Sequence, residues 1–281
     1  MRGMAETTDA AAADVRAALA AVADPERAAS SARFFKTGPG QYAEGDAFLG
    51  VTVPQLREVA RRFGGLGLSG IAELLGSPVH EHRLCGLVVL VGRFDQASRR
   101  RDRDDAERAR IAAFYLDAVR KGRVDNWDLV DTSADRILGQ YLLDPGSRDA
   151  AAPLLDPHAG VPAPLLDPRT GAAAPGAAVL DELVASPVLW QRRVGIMATF
   201  AFINAGDAGP TLRLVPRLLD DREDLMHKAA GWMLREVGKR VDRAALIGFL
   251  DEYASRMPRT MLAYATEHLS PAERAAYRAR R

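Results

Sequence analysis

The segment Val124–Asp131, VDNWDLVD, holds a tryptophan and, four positions later, an aspartate. On a helix, positions i and i+4 lie one turn apart on the same face. Trp127 and Asp131 would therefore set an indole beside a carboxylate. The two other tryptophans each precede an arginine by three residues, as Trp190–Arg193 and Trp232–Arg235. Three helices would then each offer a flat apolar face next to an ion. Two cations and one anion arranged this way suit a ligand that is anionic along its length and cationic at one point. Alkylated DNA meets that description.

Other common chemistries find little support. The chain contains no HExxH, no CxxC and no P-loop pattern, and Gly64, Gly65 and Gly67 do not follow a strand signal. The single cysteine, Cys85, excludes an internal disulfide and a cysteine-rich zinc site. His80 and His82 fall at a helix start, where a satisfied surface or core role is the expectation. His227 reads as a polar residue on the Trp232 helix, and Ser133 has no histidine placed to activate it. Neither a metal nor a cofactor is expected.

These residues need helices to carry them. Apolar side chains recur at three and four, as in Ile111, Phe114, Tyr115, Ala118 and Val119, or Leu225, Ala229, Trp232 and Met233. The spacing predicts helices over 10–23, 25–36, 53–63, 68–76, 80–93, 104–121, 125–142, 178–186, 188–204, 208–219, 222–239, 241–254, 257–268 and 271–279. Asp24-Pro25, Ser77-Pro78, Ser186-Pro187 and Ser270-Pro271 each place a capping residue before a proline at the first helical position. Short helices joined in pairs by tight turns predict an all-α chain, an α-solenoid. Residues 36–52 read as a Gly-rich loop. Residues 144–177 read as a Pro/Ala/Gly-rich insertion, in which APLLDP recurs at Ala152–Pro157 and Ala163–Pro168. The run Arg99–Arg110 mixes signs and reads as a solvated turn entering a helix.

The 281 residues can bury a full core, and 48% hydrophobic with 27% charged residues is a globular balance. Net charge is only +1, from 38 Lys and Arg against 37 Asp and Glu, so any nucleic-acid surface must be locally basic. No apolar run reaches the length of a membrane span, and the Ala-rich start lacks a signal-peptide core. The expectation is a cytoplasmic monomer without a membrane partner. It comprises an N-terminal helix or arm over 1–24 and one domain over 25–281 that carries the 144–177 insertion.

The strings ARFFKTGPGQYAEGDAFLGVTVPQLREVA (32–60), NWDLVDTSADRILGQYL (126–142), WQRRVGIMATFAFI (190–203), HKAAGWMLREVGKR (227–240) and MPRTMLAYATE (257–267) together resemble the AlkD family of DNA alkylation repair proteins, HEAT-like-repeat DNA glycosylases. The resemblance spans about residues 25–270 without the insertion. It implies a right-handed superhelix of helix pairs whose concave, locally basic groove holds double-stranded DNA. It also implies release of N3- and N7-alkylpurines by cleavage of the glycosidic bond. Matched residue by residue, the aspartate of WDLVD is Asp131 and its tryptophan is Trp127. The tryptophan of GWMLRE is Trp232, with Arg235 close after it, and the arginine of the Trp190 helix is Arg193. An aromatic in the first matching helix falls on Phe34, where members can carry Tyr.

The chemistry holds together on its own terms. N3- or N7-alkylation leaves the purine cationic and already a good leaving group, so no general acid is required. Positive charge develops on the sugar, where a carboxylate such as Asp131 stabilises it and orients water. Indole faces of Trp127 and Trp232 hold the cationic nucleotide. Arg193 and Arg235, with Trp190 and Phe34 alongside, contact the DNA backbone without reading sequence. The expectation is a monofunctional alkylpurine glycosylase acting on 3-methyladenine and 7-methylguanine in base excision repair. The alternative is a non-catalytic HEAT-repeat scaffold that binds DNA or protein.

Overall fold

The computed structural model describes residues 11–144 and 175–280. Over those residues the chain is all-helical, and its one extended pairing is an isolated parallel bridge between Ala47 and Val79. No helix among them is long and apolar enough to cross a membrane. The duplicated APLLDP segments lie outside the described residues.

The chain divides into two compact units, 1–133 and 134–281. The first holds α1 (Ala12–Ala20), α2 (Pro25–Phe34), α3 (Val53–Arg62), α4 (Leu68–Leu75), α5 (His80–Ala97), α6 (Asp105–Arg120) and α7 (Trp127–Ser133). Its centre is α5, which is apolar around most of its circumference and buries Leu87, Leu90 and Phe94. Such a helix is stable only when surrounded, and α1, α3, α4, α6 and α7 all pack on it. Helix α1 is thus not a free arm: Ala12, Val15 and Leu19 are buried, and it packs on α3, α4 and α5.

The second unit starts with a π-helical turn (Asp135–Gly139) and α8 (Gln140–Leu143), and resumes with α9 (Pro175–Ala185), α10 (Leu189–Ala198), α11 (Phe200–Asn204) and α12 (Gly209–Leu214). A 3-10 turn (Val215–Leu218) leads to α13 (Asp224–Arg240), α14 (Arg243–Tyr253), α15 (Arg259–Ala265) and α16 (Pro271–Ala279). Here α13 is central and packs on α10, α11, α12, α14 and α15. Gly231 permits the approach of α15. A Cβ there would lie 2.5 Å from the Met261 carbonyl oxygen and 2.7 Å from the Tyr264 Cβ.

The capping expectations divide two and two. Asp24 accepts from the Arg27 amide, and Ser270 closes a capping box with Glu273, as expected. Ser77 and Ser186 do otherwise: α5 and α10 begin only at His80 and Leu189, after Val79 and Val188. Each serine accepts instead from the valine amide two residues on, at 3.1 Å. Each also bonds a side chain five residues on, His82 from Ser77 and Gln191 from Ser186. The segments SPVHEHRLCG (77–86) and SPVLWQRRVG (186–195) share Ser, Pro, Val, Arg and Gly at the same offsets. Both lead into helices packed on the one before, α5 on α4 and α10 on α9. One local turn is therefore used twice, once in each unit.

Candidate functional site

In the first unit the site is built where four segments meet. Helix α2 ends at Phe34, and the chain turns at Lys36, whose φ of 56° is the left-handed conformation that closes helix C-termini. The turn sends the Phe35 ring onto Trp127, 5.4 Å between centroids and 15° between planes. Phe34, 67% exposed, meets the same indole edge-on at 6.1 Å.

The loop at 36–52 brings in Asp46 and Phe48. It is pinned from below by Glu81, a buried carboxylate accepting from the amides of Leu49, Gly50 and Val51 at 3.0, 2.8 and 3.3 Å. Gly50 has φ 75°, and a Cβ there would sit 2.2 Å from the Asp24 carbonyl oxygen. No other residue fits that backbone without displacing it.

The first turn of α5 supplies His80 and Arg83, and the start of α7 supplies Asp125, Asn126, Trp127 and Asp128. His80 is 2% exposed and packs against Phe35 and Phe48, each at 4.8 Å, while those two rings lie 5.1 Å from one another. Its Nε2 lies 2.7 Å from Asp128 Oδ2. Its Nδ1 lies 3.4 Å from Asp46 Oδ2, an ion-pair contact without hydrogen-bond alignment. An imidazole facing a carboxylate on each nitrogen carries both protons. Burial works against that charge, but the bond to Asp128 and the close Asp46 carboxylate outweigh it and raise the His80 pKa to about 9. Asp46 also takes Arg83 at 2.6 Å and the Asn126 amide at 3.1 Å. Burial would raise its pKa, but the bonds from His80, Arg83 and Asn126 hold it below the usual value. Asp125 is pushed up by burial, against the pull of Arg83.

Asp131 is half-exposed, one turn beyond Trp127 on α7. Around His80 the carboxylates Asp46, Asp125 and Asp128 outnumber the cations His80 and Arg83 by one. The π turn that follows α7 closes with Gly139 donating to the Ala134 carbonyl at 2.9 Å. Ser133 is fully buried, donates to the Leu129 carbonyl and shares a bond with Tyr115, so it is a structural hydroxyl.

In the second unit Trp232 is half-buried on α13. Its Nε1 donates to Glu236 at 3.3 Å, and Phe200 lies 6.2 Å away. Arg235 sits over the indole at 6.0 Å and is held by Glu236 at 2.8 Å and by Glu267. Glu236 is shared with Arg240. Trp190 is half-buried on α10. Arg193 departs from expectation. It is 4% exposed, and its Nη1 donates to the Leu225 carbonyl at 2.6 Å. A phosphate clamp needs a guanidinium that solvent can reach, whereas this one ties α10 to α13. Its neighbour Arg192 pairs with Asp221 at 2.7 Å. His227 bonds the Asp221 carbonyl, the polar role its position predicted.

A family model described as DNA alkylation repair enzyme matches residues 15–156 and 172–269. The chain belongs to the DNA alkylation repair enzyme family. A solved structure, a predicted DNA alkylation repair enzyme from Enterococcus faecalis, is similar in fold, with a TM-score of 0.59 at 12% identity. The match covers 89% of this chain and 97% of that one. No curated protein matches the chain. The family match covers both units, so Trp127 and Asp131 in the first and Trp190, Trp232 and Arg235 in the second all fall within a DNA repair enzyme. The residues that spacing alone did not single out are Phe35, Phe48 and Asp46, of which only Phe35, beside Phe34 in an aromatic pair, carried a signal in the sequence; His80 was read as a satisfied residue at a helix start.

Proposed function

We propose that the chain is a monofunctional DNA glycosylase that releases cationic N3- and N7-alkylpurines, 3-methyladenine and 7-methylguanine, from duplex DNA. The observation that carries this reading is a half-exposed carboxylate, Asp131, one turn along α7 from an indole buttressed by Phe35. A cationic base is drawn to such a place. As it leaves, the sugar becomes oxocarbenium-like, and Asp131 stabilises that charge and orients the attacking water. Trp127, with the exposed Phe34 beside it, offers an apolar and cation-attracting face worth about 0.5–2 kcal/mol per contact. Trp232 does the same in the second unit, where Trp190 and Arg235 meet the backbone. Arg235 would exchange Glu267 for a phosphate on binding. The fold reading that goes with this is a solenoid superhelix of HEAT-like pairs with a concave groove for DNA, and the recurring Ser-Pro-Val turn supports it. A monomer acting in the cytoplasm in base excision repair completes the proposal.

Incubation of methylated duplex with the protein, followed by chromatography of free bases, tests the activity directly. Release of 7-methylguanine or 3-methyladenine well above the spontaneous rate is expected. No release above that rate would remove the enzyme from the reading.

A second reading, a non-catalytic scaffold for DNA or protein, draws on Arg193 and Arg235 being committed to protein partners. It predicts no base release. If the partner is protein, it also predicts no salt-dependent binding to alkylated duplex.

A further inference from the structure

Away from Asp131 and the tryptophans, the most heavily invested group in the first unit is a buried histidine. We infer that His80, clamped between Asp46 and Asp128 and packed against Phe35 and Phe48, is a positioning residue that sets the Trp127 ring and the first turn of α7. It acts through two routes. Phe35 lies against both His80 and the Trp127 indole, at 4.8 and 5.4 Å between centroids. A cation stacked on an aromatic face is held by the ring quadrupole, so the charge on His80 fixes the plate on which Trp127 rests. The other route is polar. Asp128 directly follows Trp127, and its carboxylate bonds His80 Nε2 at 2.7 Å. Asn126 directly precedes Trp127. It accepts from the Trp127 amide at 2.8 Å and donates to Asp46, the carboxylate facing the other His80 nitrogen. The residues on both sides of Trp127 are thus tied to partners of one imidazolium. Asp131 projects from the same helix one turn later.

The charged groups facing His80 come from three segments: Asp46 from the loop, Arg83 from α5 itself, and Asp125 and Asp128 from the start of α7. Phe35, at the end of α2, brings no charge. Neighbouring Glu81 is occupied with the amides of residues 49–51. Loss of the His80 proton would leave Asp128 facing a neutral ring and free Phe35 to tilt, with the helix itself intact. The consequence for turnover rests on the reading of Trp127 and Asp131 given above; the geometry of Trp127 does not.

The test follows the emission of Trp127 in a Trp190→Phe/Trp232→Phe background between pH 7 and 9.5, with far-UV circular dichroism alongside. A change in emission with its midpoint near pH 9, at constant helix content, is expected. His80→Gln should abolish it, and Asp128→Asn, which keeps the histidine, should move the midpoint to lower pH. An emission flat across that range in the parent, or a transition that persists in His80→Gln, overturns the inference. Should His80→Gln not fold, the parent titration and the Asp128→Asn shift decide alone. On methylated duplex, His80→Gln in the otherwise native chain should lose on the order of 10–100-fold in kcat with KM little changed, the signature of a displaced catalytic geometry. A purely structural histidine would lower Tm and leave kcat of the folded enzyme unaltered, and that result also overturns the inference. If the native chain releases no base at all, the glycosylase reading fails, and the fluorescence titration still judges His80.

Discussion

The Phe35 ring lies nearly parallel to the Trp127 indole, 15° apart at 5.4 Å between centroids, so one face of the tryptophan is already occupied by protein. Any nucleotide must use the other face or the edge beside the exposed Phe34. Replacing Phe35 by Leu keeps apolar bulk and removes the flat support. A stability loss of about 0.5–1.5 kcal/mol beyond the change in buried area is expected from the lost aromatic pair. Base release should fall more than that loss alone explains, because the indole is no longer held. Denaturant unfolding and single-turnover release on the same preparations check both parts.

Asp131→Asn keeps shape and removes charge. With electrostatic stabilisation of the sugar as its role, release of alkylpurines should drop on the order of 10²–10³. Affinity for an uncleaved alkylated duplex should change far less. Chromatography of released base, with thermal melts to establish folding, makes the comparison. A variant as fast as the native chain would remove Asp131 from the chemistry.

The charge on His80 also makes stability depend on pH. Its folded pKa, about 9, lies above the ordinary value of 6.5, so the folded state holds the proton where the unfolded chain has released it. The contribution is therefore complete below about pH 6.5 and is lost as pH rises through about 9. Over that window it is on the order of 3 kcal/mol. Urea midpoints should decline from pH 6.5 to 9, and His80→Gln should flatten the decline. Midpoints of the native chain that stay level across the window would mean that His80 is not charged in the fold.

The helices were legible because apolar spacing at three and four survives almost unbroken along the chain, as at Ile111 and Tyr115. The starts of α5 and α10 were read to within a residue, at 80 and 188, but the role of Ser77 and Ser186 was not, because a serine before proline looks the same whether it caps the helix or bonds the valine amide ahead of it. Trp127 and Asp131 lie four apart on one helix, so spacing found them. His80 and Asp128 are 48 residues apart, and nothing local to either marks the other. Arg193 is different: α10 is buried all round from Arg193 to Ala198, so no periodicity marks which of its arginines the fold encloses. The tandem Arg192-Arg193 hid the distinction.

Gly50→Ala should be costly for a reason that burial does not capture. A methyl at that position meets the Asp24 carbonyl and the Ala28 amide at 2.2 and 2.5 Å, both backbone atoms, at φ 75°. Relief requires moving the loop that carries Asp46 and Phe48, or the start of α2. A loss of about 1–3 kcal/mol from crowding alone is expected, with left-handed strain added. Thermal melts give the total. The emission of Trp127 should shift as the cluster of Phe35, Phe48 and His80 is disturbed, whereas a lower Tm with unchanged emission would separate the loop from the site.

Arg193 and Arg235 divide by what their removal does to salt dependence. Arg193→Met deletes a buried charge-assisted bond to the Leu225 carbonyl, and about 1.5–3 kcal/mol of stability should go with it. Because that guanidinium does not reach solvent, the slope of log affinity against log salt for duplex DNA should stay as in the native chain. Arg235→Ala removes a partly exposed cation that exchanges Glu267 for phosphate, and the slope should become shallower by about one. Glu267→Gln should act in the opposite sense and tighten binding at low salt, since the arginine then keeps only Glu236 and has no Glu267 carboxylate to exchange. Affinities measured by fluorescence anisotropy between about 50 and 200 mM salt decide the matter. A slope that changes for Arg193→Met and not for Arg235→Ala would reverse the two assignments.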